Sequence, residues 1–128
     1  MQPGDHIMID RGVYVHHGIY VGDGNVVHFR GDAGQKLVGV EEPMILMQPM
    51  EEFGPEGQVQ VIEYDDDIGV LDPGETVSRA LHKVGSTSYN LAHNNCEHFS
   101  IWCKTGLHES TQVNEAMDWL ADVVSDII

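Results

Sequence analysis

Val13-Tyr14-Val15-His16-His17-Gly18-Ile19-Tyr20-Val21, then Gly22-Asp23-Gly24-Asn25, then Val26-Val27-His28-Phe29, is the stretch that decides the fold. Both flanks are rich in β-branched and aromatic residues, and Asp-Gly between two such runs is a strong hairpin signal. Working outward, Ile7 to Ile9 reads as a short strand on the N-terminal side and Lys36 to Val40 as a weaker one beyond the hairpin. Glu41 to Gly57 holds three prolines, two glycines and three methionines, and reads as an irregular surface loop with an apolar face. Strand pattern returns at Gln58 to Tyr64, where Val59 and Val61 alternate with polar neighbours.

From Asp72 the period becomes helical. Asp72-Pro73 with Glu75 has the elements of a capping box with proline at the first helical position, and Val77, Ala80, Leu81 and Val84 share one side before Gly85. A second helix is expected from Asn94 or Asn95 to Lys104 with Gly106 as its stop, and a third over Thr111 to Ile127, with Val113, Met117, Leu120, Val124 and Ile127 as its apolar face. Strands first and helices afterwards predict an α+β domain, a small antiparallel sheet packed against about three helices, with residues 1–128 as one unit.

The formal charge of −15, from six basic and 21 acidic residues, excludes nucleic acid as a partner, because phosphate binding needs clustered lysine and arginine. No apolar run approaches a membrane span and the first residues lack the pattern of a signal peptide, so the expectation is a cytoplasmic chain without a transmembrane anchor. The Met44-Ile45-Leu46-Met47 run and Met50 offer an adaptable apolar edge for peripheral lipid contact. Cys96 and Cys103, seven residues apart on one expected helix, are too far apart for a disulfide.

Histidines gather at His16, His17 and His28 in the hairpin and at His93 and His98 around Cys96. A thiolate is the reactive form of cysteine, and the first turn of a helix, where Cys96 falls, favours it through unpaired backbone N–H groups. Its natural companion is an imidazole from the sheet. Consecutive strand residues face opposite sides, so only one of His16 and His17 can serve. A two-residue turn puts His28 on the face of His17, and a three-residue turn with a bulge, for which Asn25 is suited, puts it on the face of His16. His17, His93 and His98 read as structural, Cys103 as core, and Asp65-Asp66-Asp67 as a solvated strand exit. A zinc site of His93, Cys96 and His98 lacks the usual four ligands, so no metal or cofactor is expected.

Taken together, Pro3-Gly4-Asp5, Arg11, Tyr14, His16, Ile19-Tyr20, Gly22-Asp23-Gly24, His28, Tyr89-Asn90-Leu91 and Asn95-Cys96-Glu97-His98-Phe99 resemble the lecithin retinol acyltransferase family. That family includes the H-rev-like phospholipid acyltransferases and belongs to the NlpC-type, circularly permuted papain-like group. The resemblance implies Cys96 as nucleophile, His16 as general base and His28 as a second, orienting histidine, and hence the bulged turn. It further implies supporting places for Arg11, Tyr14 and Asn95. The implied chemistry is transfer of an acyl group from a glycerophospholipid or other donor to the cysteine as a thioester, then to water, an amine or an alcohol. Two other readings accompany it: an NlpC-type peptidase or amidase using the same residues, and a non-catalytic interaction module similar to picornaviral proteins with an H-box and an Asn-Cys pair.

Overall fold

The computed structural model describes residues 1–12, 14–30, 44–86, 95–107 and 110–128. The expected strand at Lys36 to Val40, the Tyr89-Asn90-Leu91 segment, His93 and Asn94 lie outside them. Five strands, β1 (His6–Asp10), β2 (Val15–Gly22), β3 (Asn25–Arg30), β4 (Met44–Pro49) and β5 (Gln60–Ile62), form one antiparallel sheet in the order β4-β3-β2-β1-β5. Helices α1 (Met50–Phe53), α2 (Pro73–His82), α3 (Asn95–Thr105) and α4 (Ser110–Ile127) complete the described α+β architecture. Among the described residues no helix is long and apolar enough to cross a membrane.

Alternation along the strands sorts the core into two sides. One face sets Ile19, Val27, Phe29 and Ile45 against Ala80 of α2 and Cys96, Phe99 and Cys103 of α3. Beside them, Met8 and Ile62 meet Ile101 of α3 and Ala116 and Leu120 of α4. The other face carries Ile7, Ile9 and Val26 against Phe53 at the end of α1. Phe53 is 1% exposed, and its burial alone stabilises the contact by roughly 1.5–3 kcal/mol. The strands β2 and β3 that bear the histidines therefore have Phe53 of α1 on one face and α2 and α3 on the other.

The hairpin turn determines which histidine joins which face. Gly22 pairs with Asn25 across a two-residue turn, Asp23-Gly24, whose φ angles of 54° and 76° suit an aspartate and a glycine. One residue further on the register slips, and Tyr20 pairs with Val26 and Gly18 with His28. The expected parity is present, with His16 and His28 on one face, but the extra residue lies at Val21 inside β2, and Asn25 simply begins β3. Gly22, at φ 99°, supplies the left-handed backbone beside the bulge that Asn25 was expected to supply.

Three other expectations are corrected. The described part of the segment expected as a loop over Glu41 to Gly57 holds β4 and α1 and the start of a 3-10 turn at Glu56–Gln58. Methionine and glutamine are poor strand markers, yet β4 pairs with β3 over its whole length, and Pro49, which has no N–H to give a ladder, stands at its end. The strand expected over Gln58 to Tyr64 shrinks to Gln60–Ile62. On α2 the buried stripe is Thr76 and Ala80, whereas Leu81 and Val84 are 44% and 42% exposed. The cap is as expected: the Asp72 carboxylate accepts from the Gly74 N–H at 3.1 Å.

Candidate active site

Strand β2 is central in the sheet, so both of its edges are paired and its side chains are held more rigidly than those of an edge strand. His16 leaves it toward the α1 face and is fully buried. Its Nε2 lies 2.8 Å from Nδ1 of His28 on β3, and Nε2 of His28 lies 2.7 Å from Oε1 of Gln48 on β4. With the Gln48 carbonyl toward His28, the proton order follows. An amide oxygen only accepts, so His28 Nε2 carries a hydrogen, leaving its Nδ1 to accept from His16 Nε2–H. The lone pair of a neutral His16 is then on Nδ1, and the three residues act as a device that fixes one tautomer.

Aromatic rings enclose the pair. Phe53 lies 5.3 Å from the His16 ring and 5.6 Å, edge to face, from His28, and Tyr14 stands edge to face with His16 at 5.8 Å. Arg11 ties this enclosure together: one guanidinium nitrogen donates to the Phe53 carbonyl at 2.6 Å and the other to the Tyr14 hydroxyl at 3.3 Å. Gly18, opposite His28, leaves room for Phe53, since a Cβ there would lie 3.1 Å from Phe53 Cε1 and 2.8 Å from Val26 Cγ1.

Cys96 is the second residue of α3, is 2% exposed and, like Cys103, stands outside any disulfide among the described residues. Its backbone N–H is among those that a helix start leaves without an intrahelical acceptor. The sulfur lies 4.0 Å from the Val15 carbonyl oxygen. The Tyr14 carbonyl accepts from Arg11 N–H in the β1–β2 turn, so the next carbonyl, that of Val15, points to the opposite edge, where β3 ends at Arg30. Cys96 thus meets the sheet at its rim, at the peptide group whose nitrogen belongs to His16.

The structure brings His16, His28, Arg11 and Tyr14 together and sets Cys96 beside the peptide before His16. Asn95 begins α3. Gln48 and Phe53 were missed, because both fall in the segment read as loop and neither belongs to a motif. His17 turns to the helix face and bonds His6, and His98 is half-buried on α3. Among the described residues, no three His, Cys, Asp or Glu side chains are grouped to hold a metal ion.

The family model described as lecithin retinol acyltransferase matches residues 1–109. Lecithin retinol acyltransferase of Mus musculus is 27% identical over 145 residues, covering 96% of this chain and 62% of that protein. Phospholipase A and acyltransferase 3 of Homo sapiens is 31% identical over 126 residues, covering 91% and 78%. Protein LEAD-SENSITIVE 1 of Arabidopsis thaliana is 31% identical over 151 residues, covering 84% and 58%. The chain spans about three fifths of the length of the first and last of these relatives.

Proposed function

The chain belongs to the lecithin retinol acyltransferase family, and from that premise we propose that it is a thiol-dependent acyltransferase or phospholipase acting on glycerophospholipid acyl esters. The observation that carries this reading is the chain from Gln48 through His28 to His16, which leaves the His16 lone pair on Nδ1, together with a helix-start thiol against the peptide that precedes His16. We read the arrangement as the circularly permuted papain-like fold, in which the histidine strands come before the cysteine helix.

In the proposed sequence, His16 Nδ1 takes the Cys96 thiol proton and the thiolate attacks the ester carbonyl. The Cys96 backbone N–H faces the oxyanion that develops, a contribution of the kind worth about 3–4 kcal/mol where single donors have been removed. Collapse breaks the ester bond, the proton on His16 passes to the departing lysolipid alkoxide, and a thioester remains on Cys96. Water, an amine or an alcohol then attacks, giving its proton to His16 as the thiolate leaves. Splitting one difficult transfer into two is the gain of a covalent route. His28 and Gln48 keep the imidazole in the tautomer this requires, while Arg11 and Tyr14 hold its enclosure.

The test is incubation with labelled phosphatidylcholine and mass spectrometry of the Cys96 peptide. The expected result is an added acyl mass and released lysolipid in the wild type, and neither in Cys96→Ala or His16→Ala. Absence of both products across several headgroups in the folded protein overturns the proposal.

A further inference from the structure

We propose that His6 and His17 are positioning residues: the hydrogen-bonded couple they form on the far face of β2 holds His16 in place, and uptake of protons by that couple releases it. The proposal rests on the reading of His16 and Cys96 as the reacting pair and adds an acid-operated latch to that site.

Consecutive residues of one strand point to opposite faces. His16 Nε2 is bonded to His28 Nδ1 on β3, and His17 Nδ1 to His6 Nε2 on β1, each at 2.8 Å. The same two-residue segment of the central strand is therefore fastened to both neighbours, on both faces, by imidazole pairs. The second couple is extended by Tyr64, whose hydroxyl lies 2.8 Å from His6 Nδ1. It also lies beneath the helix bearing the thiol. Cys96 of α3 meets Val15, and Lys104, two turns on, donates to the Gly4 carbonyl at 3.2 Å, while Gly4 N–H bonds the Tyr20 carbonyl. The helix thus runs along β2 from Val15 to Tyr20, with His17 between.

A bond between two imidazoles needs a lone pair on one of them, so the couple survives with both rings neutral or with one extra proton, and fails with two. Its setting opposes even the first. Exposure is 0% at His6 and 1% at His17. Burial, then His17 and the Lys104 ammonium, hold His6 well below the usual histidine range. The other titratable groups around the couple are Tyr64 and Cys103, both pushed up by burial and so neutral, Asp5 beside Lys104, and Asp65 after β5, which accepts from Trp119 of α4 at 2.9 Å. Charging both rings of the couple therefore requires it to come apart. When it does, β2 loses its far-side fastening directly behind His16.

The experiment is a titration of 15N-histidine-labelled protein, following ring nitrogen shifts from pH 8 to 4. In the wild type His6 and His17 are expected to remain neutral below the free histidine value of about 6.5. They then gain protons together with a Hill slope near 2, and the His16 and His28 signals move at the same midpoint. His6→Gln keeps an amide facing His17 but removes a titrating ring. Its His16 and His28 transition is expected to have a slope near 1 and a midpoint displaced from that of the wild type. His17→Asn, which retains a group at the Nδ1 position, serves the same purpose if His6→Gln does not fold. Independent titration of His6 or His17 near 6.5 with unmoved His16 and His28 signals overturns the latch, as does an unchanged midpoint in a folded variant. No lipid enters this readout. A coupled transition in a protein that turns over no lipid removes only the enzymatic reading, and turnover with uncoupled titrations removes only the latch.

Discussion

Gln48 offers a sharp test of the site, because its side-chain oxygen accepts a hydrogen bond from His28. In Gln48→Leu the His28 Nε2–H, on a residue 3% exposed, loses its 2.7 Å acceptor. Leaving a buried donor unpaired costs about 1–3 kcal/mol. The alternative, moving the hydrogen to His28 Nδ1, spares that cost but turns Nδ1 into a donor, so His16 must present its lone pair at Nε2 and carry its hydrogen on Nδ1. Either way the tautomer with the His16 lone pair on Nδ1 is disfavoured by about the same amount, and the rate of thiol activation falls about 5- to 150-fold. Iodoacetamide alkylation at pH 7.5, read by mass spectrometry on the Cys96 peptide, measures this without any lipid substrate. Gln48→Glu keeps an acceptor in place and is expected to stay within about threefold of the wild type. If Gln48→Leu folds with an unchanged melting temperature and Cys96 reacts at the wild-type rate, the deduced proton order is wrong.

Arg11→Ala removes both ties to the aromatic enclosure, and a loss of about 1–2 kcal/mol is expected, seen as a melting temperature lower by about 3–8 °C, with slower Cys96 alkylation because Phe53 and Tyr14 are freed. Gly54→Ala places a Cβ against Ile9 Cδ1 in a packed core, although its φ of 169° is open to any residue; the expected cost is about 1–3 kcal/mol by urea titration, and Ile9→Val in the same chain is expected to recover part of it. Stability is also expected to depend on acidity through His6. Its folded value is lowered, so the unfolded chain binds the proton first; the stabilisation is whole above about pH 6.5 and declines below it by up to about 1.4 kcal/mol per pH unit. Urea midpoints at pH 7.5, 6.0 and 5.0 in His6→Gln against the wild type measure this, and parallel curves would count against it.

What could be read from the sequence was what is encoded locally. The strands β1 to β3 were written in alternation and turn residues, α2 began at a side-chain cap, and α3 and α4 had clear apolar stripes. Cys96, His16 and His28 were singled out as candidates by motif and spacing. Gln48 was invisible for the opposite reason. It does its work through a register, opposite Val26 and next to the His28–Leu46 pair, that exists only once β4 has been recognised as a strand. The His6–His17 couple was hidden likewise: the two residues are 11 apart and meet diagonally across β1 and β2, a relation of pairing and not of spacing. The exposed Leu81 and Val84 show the converse, an apolar pattern that the described residues leave 44% and 42% exposed.

The bulge at Val21 is what brings His16 and His28 to one face of the hairpin. Continuing the Gly22 to Asn25 register along the strands would set His28 opposite Ile19, on the helix face with His17. His28 would then project into the core that Ile19, Val27 and Phe29 form with α3, far from Gln48 and Phe53, and it would bring an imidazole into a region whose other polar couple is already satisfied. One unpaired residue moves His28 to the opposite face, where His16, Gln48 and Phe53 await it. The left-handed angles of Gly22, Asp23 and Gly24 make that slip inexpensive. A β-branched residue at Gly22 is strained at φ 99°, and relieving that strain by abandoning the bulge would exchange the faces of His28 and its neighbours. The choice between His16 and His17 as partner of His28 is thus made several residues away from both, by the backbone beside a turn.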